Sequence, residues 1–336
     1  MRRVGLIMVA AGLAAGVVSG QAVPPPPTPV GTPATLTEKG IALVKEGKYP
    51  AAKTTLARAL AANPADAAAH AYLGLALLNH DDDTDQAATE LGEAVRLEPG
   101  RSPYHQWLGA VYSRQATEGG LISAPGLAKK ARTEFLKAVE LDPKDLEARA
   151  SLLEFYLRAP GIVGGSVPKA REQALAMTEI DRHQGLLAQA RIAEHEKDDP
   201  GAERLYRSAI AVKPDQGEAY NQLGYLLLRT KRRDEAVATF RKYVEVSPGE
   251  ANPHDSLGEA LLAQGEVDAS LAEYQKALEI DPAFPSAFLG LAQCFERKDQ
   301  WADAQKALER YIELEPEGRR TDDARDKLQE LKRKQR

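Results

Sequence analysis

"EAYNQLGYLLLRTKRRDEAVATFRKYVEVSP", Glu218 to Pro248, is the stretch that decides the fold. Tyr220, Leu223, Gly224 and Leu227 fall at i, i+3, i+4 and i+7, which is one face of a helix. A polar turn follows, and Ala236 and Phe240, four apart, mark the face of a second helix. Pro248 closes the unit, because proline lacks an amide donor and clashes with a preceding helical turn. The closure recurs at prolines 214, 248, 282 and 316, each 34 residues after the last. Upstream, prolines 64, 99 and 143 hold the same slot, and Arg182 fills it between 143 and 214. Eight closing positions result, at intervals of 35, 44, 39, 32, 34, 34 and 34 residues.

One helical pair cannot bury its own apolar face, so stacked neighbours must share a continuous core. Small residues let the two helices of a unit approach: Gly74, Gly109, Gly224 and Gly258 in the first, Ala87, Ala131, Ala202 and Ala236 in the second. This pattern resembles the tetratricopeptide-repeat family, whose units run aromatic-x2-Leu-Gly-x2-Tyr, then Ala-x3-Phe, then Pro. The sixth unit carries Tyr220, Leu223, Gly224, Leu227, Ala236, Phe240 and Pro248. The seventh carries His254, Leu257, Gly258, Leu261, Ser270, Tyr274 and Pro282, and the eighth Phe288, Leu291, Ala292, Phe295, Ala304, Leu308 and Pro316. Units one and two match more loosely, through Gly40, Ala52 and Leu56, then Leu73, Gly74, Ala87 and Leu91. The resemblance covers residues 33 to 318. It implies an all-α fold, a right-handed α-α superhelix of about eight helical hairpins over 34–318. Residues 319–336 predict a C-terminal capping helix: Ala324, Leu328 and Leu331 form one stripe, Thr321 offers a cap, and acidic and basic residues sit at its favourable ends.

The two ends of the chain have other characters. Residues 1–22 read as a secretory signal peptide: Arg2 and Arg3, an apolar run from Val4 to Val18, then Ser19, Gly20 and Ala22. The run is short for a membrane span of roughly 20 residues, so no stable membrane insertion is expected after cleavage. No cysteine stands there to carry a lipoprotein anchor. A periplasmic or secreted setting is the expectation. Residues 23–33, "VPPPPTPVGTP", read as an extended polyproline linker. The net charge is −5, and −7 once Arg2 and Arg3 are removed, which argues against nucleic acid as a partner. Cys294 is the single cysteine, so neither an internal disulfide nor a cysteine-based zinc site is available.

Two intervals are long. The 44-residue interval implies a ten-residue insertion near 116–130, and the 39-residue interval five extra residues at "APGIVGGS", 159–166. Both contain Ala-Pro-Gly and a nearby Gly-Gly, which predicts a pair of long turns on one edge of the array, a feature often found on a binding face. A phosphate-binding loop would need a preceding strand and a lysine directly after the last glycine. Here Lys169 comes only after Pro168. Leu153 occupies the glycine slot of unit four, predicting that its helices are pushed apart and the superhelix deformed over 116–170. The acidic turn from His80 to Asp85 lacks the spacing and glycine of a calcium loop.

The resemblance further implies that the first helix of each unit lines a concave groove. The predicted partner-binding residues are Arg114, Glu154, Arg158, Arg191, His195, Asn221, Tyr225 and Arg229. One arginine per unit would form a ladder for partner carboxylates. The competing reading has the arginines paired with Glu154 and Glu194 or simply solvated. The groove lacks the Lys, Asn and Arg set by which relatives grip a C-terminal carboxylate. No nucleophile elbow, metal-binding histidine pair or Cys–His arrangement appears, so no catalytic residue, metal or cofactor is predicted. The expected function is a non-enzymatic scaffold of the bacterial envelope, holding an extended peptide or a helix of a protein partner. The alternative is a receptor for a glycan or other small ligand, using the paired long turns.

Overall fold

The computed structural model describes residues 35–80, 83–120, 123–316, 318 and 320–334. The predicted export signal and the proline linker lie outside them, as do Asp81 and Asp82 of the acidic turn and residues 121–122 of the first insertion. The described residues form seventeen α-helices and no strand. In chain order these are α1 Leu36–Lys45, α2 Tyr49–Ala62, α3 Ala67–His80, α4 Thr84–Leu97, α5 Ser102–Glu118, α6 Ala124–Leu141, α7 Leu146–Arg158 and α8 Val167–Ile180. They continue as α9 Arg182–His195, α10 Asp199–Val212, α11 Gly217–Arg229, α12 Arg233–Val246, α13 Ala251–Gln264, α14 Val267–Ile280, α15 Pro285–Arg297, α16 Trp301–Leu314 and α17 Thr321–Lys334.

Each helix packs on the next, as a solenoid requires. Odd-numbered helices also pack on the odd-numbered ones that follow: α1 on α3, α5 on α7, α7 on α9, α11 on α13, α13 on α15. They therefore form the inner wall, and the even-numbered helices the outer one. The short turns of the regular units use a left-handed residue: Lys197, Lys231 and Asp299 have φ of 62°, 64° and 58°. That conformation reverses the chain in three residues.

The core contact is a large side chain of the second helix lying on a small residue of the first. A Cβ added at Gly224 would stand 2.4 Å from the Phe240 ring, and one at Gly109 2.8 Å from Phe135. The same register places Leu56 on Gly40, Leu91 on Gly74 and Tyr274 on Gly258. Unit four reverses the sizes. Leu153 occupies the glycine slot, and Ala174 stands where the large side chain belongs; both are buried in one cluster with Leu152, Ala170 and Met177. The predicted separation of α7 and α8 is thus offset by a volume-conserving exchange, the kind of change cores tolerate best.

The unusual intervals also resolve. The ten-residue insertion mostly lengthens helices: α5 has 17 residues and α6 has 18, against 14 in most others. Ala124-Pro125-Gly126 is the first turn of α6, where proline is at home. Among the described residues the two insertions thus differ in form: Ala124-Pro125-Gly126 is helical, whereas 159–166 joins α7 to α8 through a short 3-10 turn. The missing proline at 182 has a different cause. Asp181 ends α8 and also begins α9, its carboxylate accepting from the amides of His183 and Gln184 and from Lys213 Nζ at 2.6 Å. One residue replaces the four-residue turn that a proline would fill.

A lock between units recurs that the sequence reading did not include. In four units the side chain six residues after the closing position bonds that residue's carbonyl: His70 to Pro64, His105 to Pro99, Arg149 to Pro143 and Tyr220 to Pro214. The first three also reach the second helix of their own unit, at Glu90, Glu134 and Gln173. The carbonyl exposed by a helix end is thereby satisfied and two units are tied together. His105→Phe keeps the ring volume but strips both partners. It should cost about 1–3 kcal/mol in urea unfolding; a change within 0.5 kcal/mol would show that the lock carries no stability.

Candidate partner-binding groove

The predicted groove residues stand on the inner helices, but the arginines are not free. Glu154 on α7, 19% exposed, accepts from Arg158 of its own helix at 2.9 Å and from Arg191 of α9 at 2.8 Å. One unit on, Glu194 accepts from Arg229 of α11 and from the Tyr206 hydroxyl of α10, both at 2.8 Å. Burial, then the nearby Glu194, pushes the Tyr206 phenol far up, so it serves as a donor. Arg229 also lies 3.1 Å from Asp199. Arg114 pairs with Glu118 within α5 at 2.9 Å. His195 is exposed at the end of α9, outside these pairs. The structure thus brings Glu154, Arg158 and Arg191 into one cluster and Arg229 into a second, while Arg114 and His195 stand apart. The arginines remain about half exposed, and such pairs are worth only about 0–1 kcal/mol each. A partner carboxylate can compete for them.

Asn221 and Tyr225 belong to a different chemistry. Ser256 Oγ of α13 donates to Asn221 Oδ1 at 3.3 Å and lies 3.2 Å from the Tyr225 hydroxyl. Tyr225 donates to Glu259 Oε2 at 3.2 Å. Asp255 stands one turn before Glu259 and was absent from the predicted set. It is 5% exposed. Ser286 Oγ of α15 donates to its Oδ2 at 2.9 Å, and its Oδ1 is buried with no hydrogen-bond partner. Burial, reinforced by Glu259, raises its pKa from 3.8 to about 6 against the opposing pull of Ser286 and Arg320. The available signal was the register: Asp255 matches Asn221, Leu187, Ala150 and Gln106 in earlier units, all uncharged.

The glycine-rich loop is not a phosphate cradle. Val163, Gly164 and Gly165 donate to Pro160, Gly161 and Pro160 carbonyls, and Ser166 N donates to Tyr156 O at 2.8 Å. Three of those amides are consumed inside the loop and the fourth by the last turn of α7. Gly164, at φ 112°, lies beneath Arg132, and Ser166 caps α8. An open cavity of about 430 Å3 lies between α15 and α17, walled by Leu289, Gln293, Arg297, Arg320 and Ala324.

Family models described as tetratricopeptide repeat match residues 37–104, 186–253 and 286–318, and one described as TPR repeat matches 258–299. Together they cover more than half of the chain. The chain belongs to the tetratricopeptide-repeat family. The unmatched interior, 105–185, holds the lengthened α5 and α6, the long loop and the Leu153–Ala174 exchange. No curated protein matches by sequence. Among solved structures, yeast Tom70 is similar at 16% identity with a TM-score of 0.69, over 90% of this chain and 61% of that one. A tetratricopeptide repeat protein from Parabacteroides merdae ATCC 43184 is similar at 18% identity with a TM-score of 0.53, over 77% and 97%. At these identities the likeness concerns the fold.

The raised Asp255 carboxyl yields a stability prediction. Its folded pKa exceeds its unfolded one, so the folded state binds the extra proton between the two values. Stability from this group is present at low pH and lost as pH rises through about 6. Asp255→Asn should therefore stabilise the protein at pH 7.5 by about 1–3 kcal/mol, with a smaller gain at pH 5. Thermal unfolding at both values checks this; a variant less stable than the parent at pH 7.5 would contradict it.

Proposed function

We propose that this tetratricopeptide-repeat chain is a non-catalytic scaffold of the bacterial cell envelope, holding an extended peptide or a helix of a protein partner in its concave groove. Proteins of this family commonly act as protein-interaction scaffolds. The observation that carries the reading is the inner wall itself: half-exposed arginines and partly buried hydroxyl and amide groups, spread over adjoining turns of successive inner helices and held in place by neighbouring helices. Arg158, Arg191 and Arg229 are oriented by Glu154 and Glu194, and Tyr225 and Asn221 by Ser256 and Glu259. Arg114 and His195 extend the same wall toward the turns. The signal-like residues 1–22 support a setting beyond the cytoplasm, and no described helix is long and apolar enough to cross a membrane.

The test is photo-crosslinking in cells from single groove positions, Arg158 and Tyr225, against an outer-wall position, Lys137. Groove positions should yield one recurrent protein adduct that Lys137 does not. Arg158→Gln with Arg191→Gln should reduce that adduct about five-fold, as losing two exposed charge contacts implies. Adducts confined to the outer wall would overturn the reading.

A further inference from the structure

The groove carries its charges in two unlike states. In units four and five every inner-wall carboxylate that meets an arginine is neutralised within the chain: Glu154 by two, Glu194 by one. In unit seven, Asp255 and Glu259 sit one helical turn apart on α13, at the positions Asn221 and Tyr225 hold on α11. Among the described residues neither carboxylate has a salt-bridge partner. Glu259 is exposed and receives only the Tyr225 hydroxyl. Asp255 lies beneath with one oxygen accepting from Ser286 and the other unpartnered.

A buried carboxylate left short of donors destabilises a fold unless something repays it, and unpaired buried charge is concentrated at binding sites. The groups facing Asp255 are Glu259 of its own helix, Tyr225 of α11, Tyr274 of α14, Ser286 of α15 and Arg320 ahead of α17. Arg320 acts on Asp255 as a distant charge, without an ion pair. The other groups are carboxylate or hydroxyl, an environment that fits a cation.

We infer that the α11–α13–α15 section of the groove is a subsite for a lysine or arginine side chain of a bound peptide, with Glu259 and Tyr225 in direct contact and Asp255 supplying the second negative charge. This inference rests on the groove being a peptide site, and it adds the sign of the partner's charge. The partner is then basic where it crosses units six to eight and is free to be acidic where it crosses Arg158, Arg191 and Arg229.

Fluorescence polarisation of the full chain with capped, labelled decapeptides tests it. One alternates Lys and Ala, one Glu and Ala, one Ser and Ala. The Lys peptide should bind at least ten-fold tighter than the Ser peptide. Asp255→Asn with Glu259→Gln should abolish that advantage, and Glu245→Gln on the outer face of α12 should preserve it. The Asp255→Asn change is expected to stabilise the fold, so lost binding is not lost folding. Equal loss in the Glu245→Gln variant would reveal mere attraction to an acidic protein and overturn the inference. So would Ser or Glu peptides binding as tightly as the Lys peptide, a result that leaves the peptide groove standing. Failure of the Lys peptide to bind also overturns it, whatever the crosslinks from Arg158 and Tyr225 show. Competition by spermine at a charge-matched concentration equal to that of unlabelled Lys peptide would assign the subsite to small polyamines instead, and defeat the peptide form of the claim.

Discussion

A ring or branched side chain pressed onto a glycine is the contact on which the molecule depends. Phe240 on Gly224, Phe135 on Gly109 and Tyr274 on Gly258 set how closely the two helices of a unit approach. Tyr274 also meets Gly290 of α15, so the same ring fixes the next unit. Close packing on such contacts, repeated, yields a core that is continuous along the chain although each unit touches only its neighbours. Unit four satisfies the same volume with the sizes reversed, Leu153 against Ala174. The constraint is therefore one of filled volume, not of glycine as such.

That inner wall decides the electrostatics. Because odd-numbered helices pack side by side, residues within one helical turn of the same register in successive units come to hydrogen-bonding distance. Arginine from α9 reaches the carboxylate of α7, and arginine from α11 that of α9. The same neighbour relation sets Ser256 against Asn221 and Ser286 against Asp255. Among the described residues, Asp255 and Glu259 of unit seven stand on this wall without a salt-bridge partner. The groove is thus prepared differently along its length, internally neutralised in the middle and acidic toward the end.

Much of this was legible in the chain. The 34-residue spacing of prolines 214, 248, 282 and 316 locates the helix ends because proline cannot continue a helix. The Leu153 anomaly was legible too, but its answer, Ala174, becomes visible only when the second helix is aligned at the same register. Prolines near 124 and 160 look alike in sequence. One opens α6 and the other begins a loop, since proline suits both a first helical turn and a turn outside it. Arginine pairing depended on which neighbour each side chain reaches, which spacing within one unit cannot settle. Asp255 escaped notice because an isolated aspartate reads as surface until its burial is known.

The most direct test transplants the unit-four arrangement into unit six. Gly224→Leu and Phe240→Ala, singly and together, are compared by equilibrium unfolding. Each single change should be costly: the leucine meets a buried ring, and the alanine leaves a cavity worth about 3–5 kcal/mol. Together they should recover at least about 2 kcal/mol relative to the sum. Strict additivity of the two losses would contradict the account, because it would mean that the ring and the glycine do not share one space.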